Sequence, residues 1–160
     1  MDDGLEKTKK AALRLLAFRP RSEKELRGRL AQKKLPAESI ESVVEELRVG
    51  GMLDDARFAK LYALSRIQSR TFGKDRVKRE LMQKGLSGAV VESAMESIAD
   101  IDDYSVAEET ARRKLATMKN LAPEAKKRRL HGTLMRRGFS ATIIFKVLDA
   151  LLGAGNDDGL

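Results

Sequence analysis

Cysteine is absent, so the chain carries no disulfide, no thiolate nucleophile and no Cys-based metal site. Tryptophan is absent too, and the aromatics are two Tyr and five Phe beside three prolines. So thin a supply argues against a β-sandwich and against a proline-rich linker protein. Histidine occurs once, at His131 among Arg and Lys, which leaves no metal constellation and no Cys–His pair. No stretch approaches the roughly 20 apolar residues that span a bilayer. The start, Met1-Asp2-Asp3, is acidic where a signal peptide is basic, so a cytoplasmic location is expected. No P-loop, dinucleotide fingerprint or nucleophile elbow occurs, and the glycines of the tail follow no strand. The expectation is a protein that is not an enzyme and holds no cofactor or metal.

What is present favours helix. Hydrophobic residues make up 42% and charged residues 35% of 160, and Ala, Leu, Lys, Arg and Glu are abundant. A 3.6-residue apolar period recurs rather than an alternating one. Ser22 is placed to cap a helix, with Glu25 three residues on completing a capping box and Leu26 and Leu30 on one face. After a turn at Lys34-Leu35-Pro36, a second apolar face follows as Ile40, Val43, Val44 and Leu47.

Shifted by 51 residues, these positions return as Val77, Leu81, Leu86, Val91, Ala94, Met95 and Ile98. Shifted by a further 53, they return as Leu130, Leu134, Phe139, Ile144, Val147, Leu148 and Leu151. Gly85 and Gly138 stand where a helix ends in a left-handed residue, whereas the first copy has Lys34 there. Ser87 and Ser140 are each placed to cap the next helix. Asp54-Asp55 and Asp102-Asp103 open two leading helices, and Asp3 opens the first. The expected fold is all-α: three tandem three-helix repeats in an elongated, curved array, over 3–50, 51–100 and 101–152, with a frayed tail at 153–160. A unit of about fifty residues is near the lower limit for folding alone, so neighbours should lean on each other.

Charge follows the same repeat. Net charge is +8, with a pI near 9.8. Residues 19–34 hold seven basic groups against two acidic, 70–85 six against two, and 123–138 six against one. These central segments are therefore net +5, +4 and +5, and the remainder of the chain is negative. Residues 36–47 and 87–100 contain acidic residues and no Lys or Arg. A single charge run is usually a solvated face, but three at equivalent places suit one basic ridge along a phosphate backbone. The candidates for contact with DNA or a partner protein are Arg27 and Arg29, then Arg70, Phe72, Lys74, Arg76, Lys78 and Arg79, then Lys126, Lys127, Arg128 and Arg129. Phe72 falls outside the repeating apolar pattern and is the aromatic placed to meet a base, with packing against the next unit as the competing reading. Phe58, Tyr62, Phe139 and Phe145 read as packing residues.

Three strings carry a family resemblance: Arg19-Pro20-Arg21-Ser22-Glu23-Lys24-Glu25-Leu26, Gly51-Met52-Leu53-Asp54-Asp55-Ala56-Arg57-Phe58-Ala59, and Gly73 followed by Arg79-Glu80-Leu81-Met82-Gln83-Lys84-Gly85-Leu86-Ser87. With a weaker echo at Arg136-Arg137-Gly138-Phe139-Ser140, the chain resembles the RecX family of bacterial recombination regulators. Lys34 departs from the family's usual Gly. The resemblance implies binding to the RecA recombinase filament on single-stranded DNA, and inhibition of its growth, ATP hydrolysis and strand exchange. It also implies direct DNA binding in some members. For the Asp-Asp-x-Arg-Phe-Ala string a structural role is expected, with Asp54 or Asp55 capping, Phe58 and Ala59 packing, and Arg57 tying one unit to the next. A monomeric regulator is the main reading. The runner-up is an autonomous helix-turn-helix-like module that binds single- or double-stranded DNA.

Overall fold

The computed structural model describes residues 3–153, apart from the side chain of Arg70. Among the described residues there are nine α-helices and no strand: α1 (Asp3–Phe18), α2 (Glu23–Gln32), α3 (Ala37–Val49), α4 (Asp55–Arg70), α5 (Lys74–Gln83), α6 (Gly88–Glu96), α7 (Asp103–Ala116), α8 (Pro123–Arg136) and α9 (Ala141–Leu152). The chain is thus all-α, three tandem three-helix repeats, each with a leading, a central and a following helix. Most of the tail expected to fray lies outside the described residues; Gly153 is the C-cap of α9.

Local chemistry sets the helix ends. At α2 the Ser22 hydroxyl accepts the Glu25 N–H at 3.2 Å, and the Glu25 carboxylate accepts the Ser22 N–H at 3.1 Å. Ser87 accepts the Val90 N–H and Ser140 the Ile143 N–H, each at 3.3 Å. Such a cap is worth about 1 kcal/mol, because it satisfies a donor that the helix itself leaves unpaired. Gly85 and Gly138 take the left-handed conformation, at φ 76° and 83°. Lys34 does the same at φ 58°, so the first turn keeps the geometry of the others and bears the strain of a side chain there.

Contacts divide the chain into two compact units, one of residues up to Tyr62 with Glu80–Glu96, the other of Ala63–Arg79 with Ser97 onward. Two of the three divisions fall inside α4 and α5, and the third falls at the end of α6. The first unit has a core of Ala12, Leu26, Leu30, Ile40, Val43, Val44, Leu47 and Leu53, where α1, α2 and α3 meet. The second has a core of Ala107, Ala111, Leu130, Leu134, Phe139, Ile144, Val147 and Leu148 from α7, α8 and α9. Of the repeating apolar positions only Leu35, Met95 and Leu151 are partly exposed; the rest are buried, those of the middle repeat included.

One expectation is corrected. Phe145 is 72% exposed, because Ile144, Val147 and Leu148 turn inward on α9 and leave position 145 on the outer face. The five-residue difference in spacing between the second and third repeats is taken up by a longer loop at 117–122 and a longer α8, which begins at Pro123, ahead of the Lys127 that aligns with Lys74.

Candidate nucleic-acid and partner interface

Several of the expected contact residues hold repeats together, and they do so at two equivalent junctions. Within the first unit, Asp54 Oδ1 accepts the Arg57 N–H at 3.0 Å and caps its own helix. Its neighbour Asp55 accepts the Glu23 N–H at 2.9 Å, at the first residue of α2 in the preceding repeat. The second unit repeats this division of labour. Asp102 caps α7 through the Tyr104 and Ser105 N–H groups, and Asp103 Oδ2 accepts the Lys74 N–H at 3.3 Å, at the first residue of α5. Paired aspartates therefore serve two helix starts each time, one local and one in the repeat before. At α8 the first residue is Pro123, which has no N–H to satisfy.

A turn is seated beside each of these caps. The Ser22 hydroxyl donates to the Lys84 carbonyl at 2.8 Å, and the Lys84 ammonium donates to Glu25 at 2.6 Å while lying 4.8 Å from the Tyr62 ring centroid. Tyr62 stacks on Phe58 and donates to Glu80 at 2.8 Å. Burial pushes the Glu25 carboxyl up, but hydrogen bonds from Lys84, Arg19 and the Ser22 N–H outweigh it and hold it at about 2. In the second unit the Gly73 N–H donates to the Arg137 carbonyl at 2.7 Å, and Arg137 donates to the Thr71 hydroxyl at 2.6 Å. Arg76 donates to the Arg136 carbonyl at 2.8 Å. Burial pushes the Asp103 carboxyl up, more than the Lys74 N–H and the nearby Lys74 charge lower it, and its Oδ1 is buried with no hydrogen-bond partner.

The sequence-derived candidates separate accordingly. Phe72 is gripped by guanidinium groups, with Arg76 at 4.0 Å, Arg66 at 4.3 Å and Arg137 at 5.5 Å from its ring centroid. Arg76 belongs to that junction, and Lys74 donates through its ammonium to the Ala99 carbonyl at 3.0 Å. Arg27 bridges α2 to α3, pairing with Glu23 at 3.2 Å and Glu41 at 3.0 Å. Lys78 is exposed and engaged; the side chain of Arg70 lies outside the described residues. Arg29, Arg79, Lys127, Arg128 and Arg129 are exposed and Lys126 is half-buried, all without a side-chain hydrogen bond or ion pair. Each central helix thus keeps at least one unpaired cation. Arg57, expected to tie the units, is exposed and its side chain makes no such bond; Asp55 makes the tie instead.

Fold and junctions define a helical-repeat protein in which a three-helix module recurs and neighbouring modules are joined by the same caps. Family models for the first, second and third three-helix domains of RecX match residues 9–47, 54–95 and 100–148, in that order. The chain belongs to the RecX family. It is 31% identical over 147 residues to the regulatory protein RecX of Thermobifida fusca, covering 92% of this chain and 80% of that one. Against the regulatory protein RecX of Pelodictyon phaeoclathratiforme it is 33% identical over 147 residues, covering 92% and 90%. The crystal structure of RecX from Lactobacillus salivarius superimposes with a TM-score of 0.75 at 21% identity, over 94% of this chain and 98% of that one, which is a likeness of fold. Among the described residues no helix is long and apolar enough to cross a membrane, and no cluster of His, Cys, Asp or Glu is arranged to hold a metal ion.

Proposed function

We propose that this RecX-family chain is a regulator of the RecA recombinase, binding the filament on single-stranded DNA and restraining its growth, ATP hydrolysis and strand exchange. It would act as a monomer in the bacterial cytoplasm, in homologous recombination, DNA repair and the SOS response. The observation that carries the reading is the recurrence of unpaired cations on all three central helices: Arg29 on α2, Arg79 on α5, and Lys126–Arg129 on α8. A cation without a protein partner loses nothing internal when it meets phosphate, and each contact releases a condensed counterion. The same groups suit acidic loops of a protein filament. Regulation by occupancy needs no reacting group, and the relatives from Thermobifida fusca and Pelodictyon phaeoclathratiforme are named regulatory proteins.

The deciding experiment measures recombinase ATPase on single-stranded DNA while the chain is titrated, beside a titration of DNA alone. Inhibition well below the concentration that saturates naked DNA is the expected result. No inhibition at micromolar excess would sink the reading. Tight binding to DNA with no effect on the filament would establish an autonomous DNA-binding module instead.

A further inference from the structure

The leading helix α1 lies outside the central segments that hold the sequence candidates, and carries four basic residues with Asp3 and Glu6. Folding sorts them. Leu5, Thr8, Ala12, Leu15 and Leu16 turn toward the core, and Lys7, Lys10, Arg14 and Phe18 form one outward stripe at steps of three and four residues. The stripe runs about 16 Å along the helix. Phe18 at its end is 83% exposed, and no described ring or cation lies against its face.

Two grooves flank the stripe and share Ala11, Arg14 and Lys33 as walls. The one at the Phe18 end, about 220 Å³, is lined by Ala11, Arg14, Leu15, Phe18, Arg21 and Lys33 and by no carboxylate. Arg14 and Lys33 are exposed and make no side-chain hydrogen bond or ion pair. Arg21 is only 8% exposed; its Nε donates to the Leu15 carbonyl at 3.3 Å, but its Nη1 is buried with no partner. A desolvated guanidinium with an unsatisfied donor, beside two unpaired cations, leaves the groove short of negative charge. Burial and the neighbouring Arg19 and Arg29 charges depress the Arg21 pKa, in keeping with that shortage.

We propose that the Phe18 end of α1 is a single-stranded nucleic-acid subsite, in which an unpaired base stacks on Phe18 and the adjoining phosphates lie against Arg14 and Lys33, with Lys7 continuing the track beyond Lys10, which pairs with Glu6 at 2.9 Å. A bare aromatic face beside unpaired cations is the combination that takes an unstacked base and its backbone. Duplex DNA offers no free base face. An acidic protein segment would pair with the cations without needing the bare ring of Phe18, and the apolar wall, Ala11 and Leu15, is too short to seat a helix face. The subsite deepens the functional reading above by assigning a DNA contact to the first repeat.

Because the chain has no Trp, Phe18→Trp places a single reporter at the site. Its fluorescence should be quenched on titration with an oligodeoxythymidine. Phe18→Ala should weaken oligonucleotide binding about tenfold with the salt slope unchanged. The Arg14→Ala, Lys33→Ala double variant should lower that slope by about 1.4. Thermal melting of the exposed-site variant Phe18→Ala should match the parent. Unquenched fluorescence at saturating oligonucleotide, parental affinity in Phe18→Ala, or no oligonucleotide binding by the parent would each overturn the subsite. So would a Phe18→Ala variant that binds oligonucleotide normally but no longer restrains the filament, which assigns the face to an acidic protein surface. Failure of the regulatory reading itself is seen separately, as absent ATPase inhibition by the parent chain.

Discussion

Replacing Gly73 with Ala tests the second junction with one methyl group. A Cβ at position 73 would lie 2.3 Å from the Gly138 carbonyl oxygen, 2.5 Å from its carbon and 2.8 Å from the Phe139 nitrogen. All three are backbone atoms of buried residues, so no rotamer change relieves the clash. The turn has to retreat by about 1 Å to reach ordinary contact, and that retreat breaks the 2.7 Å bond from the Gly73 N–H to the Arg137 carbonyl. Overpacking costs about 1–3 kcal/mol and an unmade buried hydrogen bond a further 1–3, so the variant should lose about 2–6 kcal/mol. That is a large part of the 5–15 kcal/mol typical of a folded domain. Gly28 is the control, because it sits inside α2 with nothing within 4 Å of an added Cβ. There Ala should gain about 0.8–1 kcal/mol from helix propensity alone. Urea unfolding followed by circular dichroism should move the two midpoints in opposite directions. A Gly73→Ala midpoint equal to the parent's would refute the close approach and with it the second junction.

Other expectations follow from single residues. Lys34→Gly removes a left-handed side chain and should raise the melting temperature by about 1–3 °C, since Gly85 and Gly138 fill the equivalent places; a fall would mean the first turn is stabilised by the Lys34 side chain. Glu25 has its folded pKa held at about 2, below the ordinary 4.5, so its contribution is complete above pH 4.5 and is lost as pH falls toward 2. Stability measured down that range should fall more steeply in the parent than in Glu25→Gln, and parallel curves would remove Glu25 from the junction. Arg79→Glu should leave unfolding within about 0.5 kcal/mol of the parent while reducing the salt dependence of filament association. Arg76, one turn earlier on α5, is unsuitable for that test because it holds the Arg136 carbonyl and the Phe72 ring; unchanged salt dependence in Arg79→Glu would count against the central helices as the contact surface.

Much of the fold was legible in the sequence because its signals are local. Ser22 with Glu25 makes a capping box wherever a helix begins, and Gly85 and Gly138 mark left-handed turns because few other residues adopt that conformation without cost. Apolar spacing predicted which side chains are buried, since one face of a helix must leave water when three helices close on each other. It fails at Phe145, which sits among helical apolar positions on α9 but at an angle that leaves it on the outer face.

The candidate site was less legible. Counting charge per helix treats every Arg and Lys alike, but Arg27 pairs with Glu41, fourteen residues away, and Arg76 with a carbonyl sixty residues away. Those distances along the chain leave no periodic trace. The stripe of Lys7, Lys10, Arg14 and Phe18 has a helical signature, but it lies on a leading helix, outside the central segments where basic charge recurs.

By itself the sequence determined that the chain is helical, that its unit recurs three times, and which residues cap and fill each unit, because all of these depend on neighbours within a few turns. Tertiary structure decided what the second aspartate of each pair does, whether Phe72 is free for a base, and which cations remain unpaired. Each of these depends on where one repeat's turn comes to rest against another repeat's helix start, a close approach that only the folded chain creates.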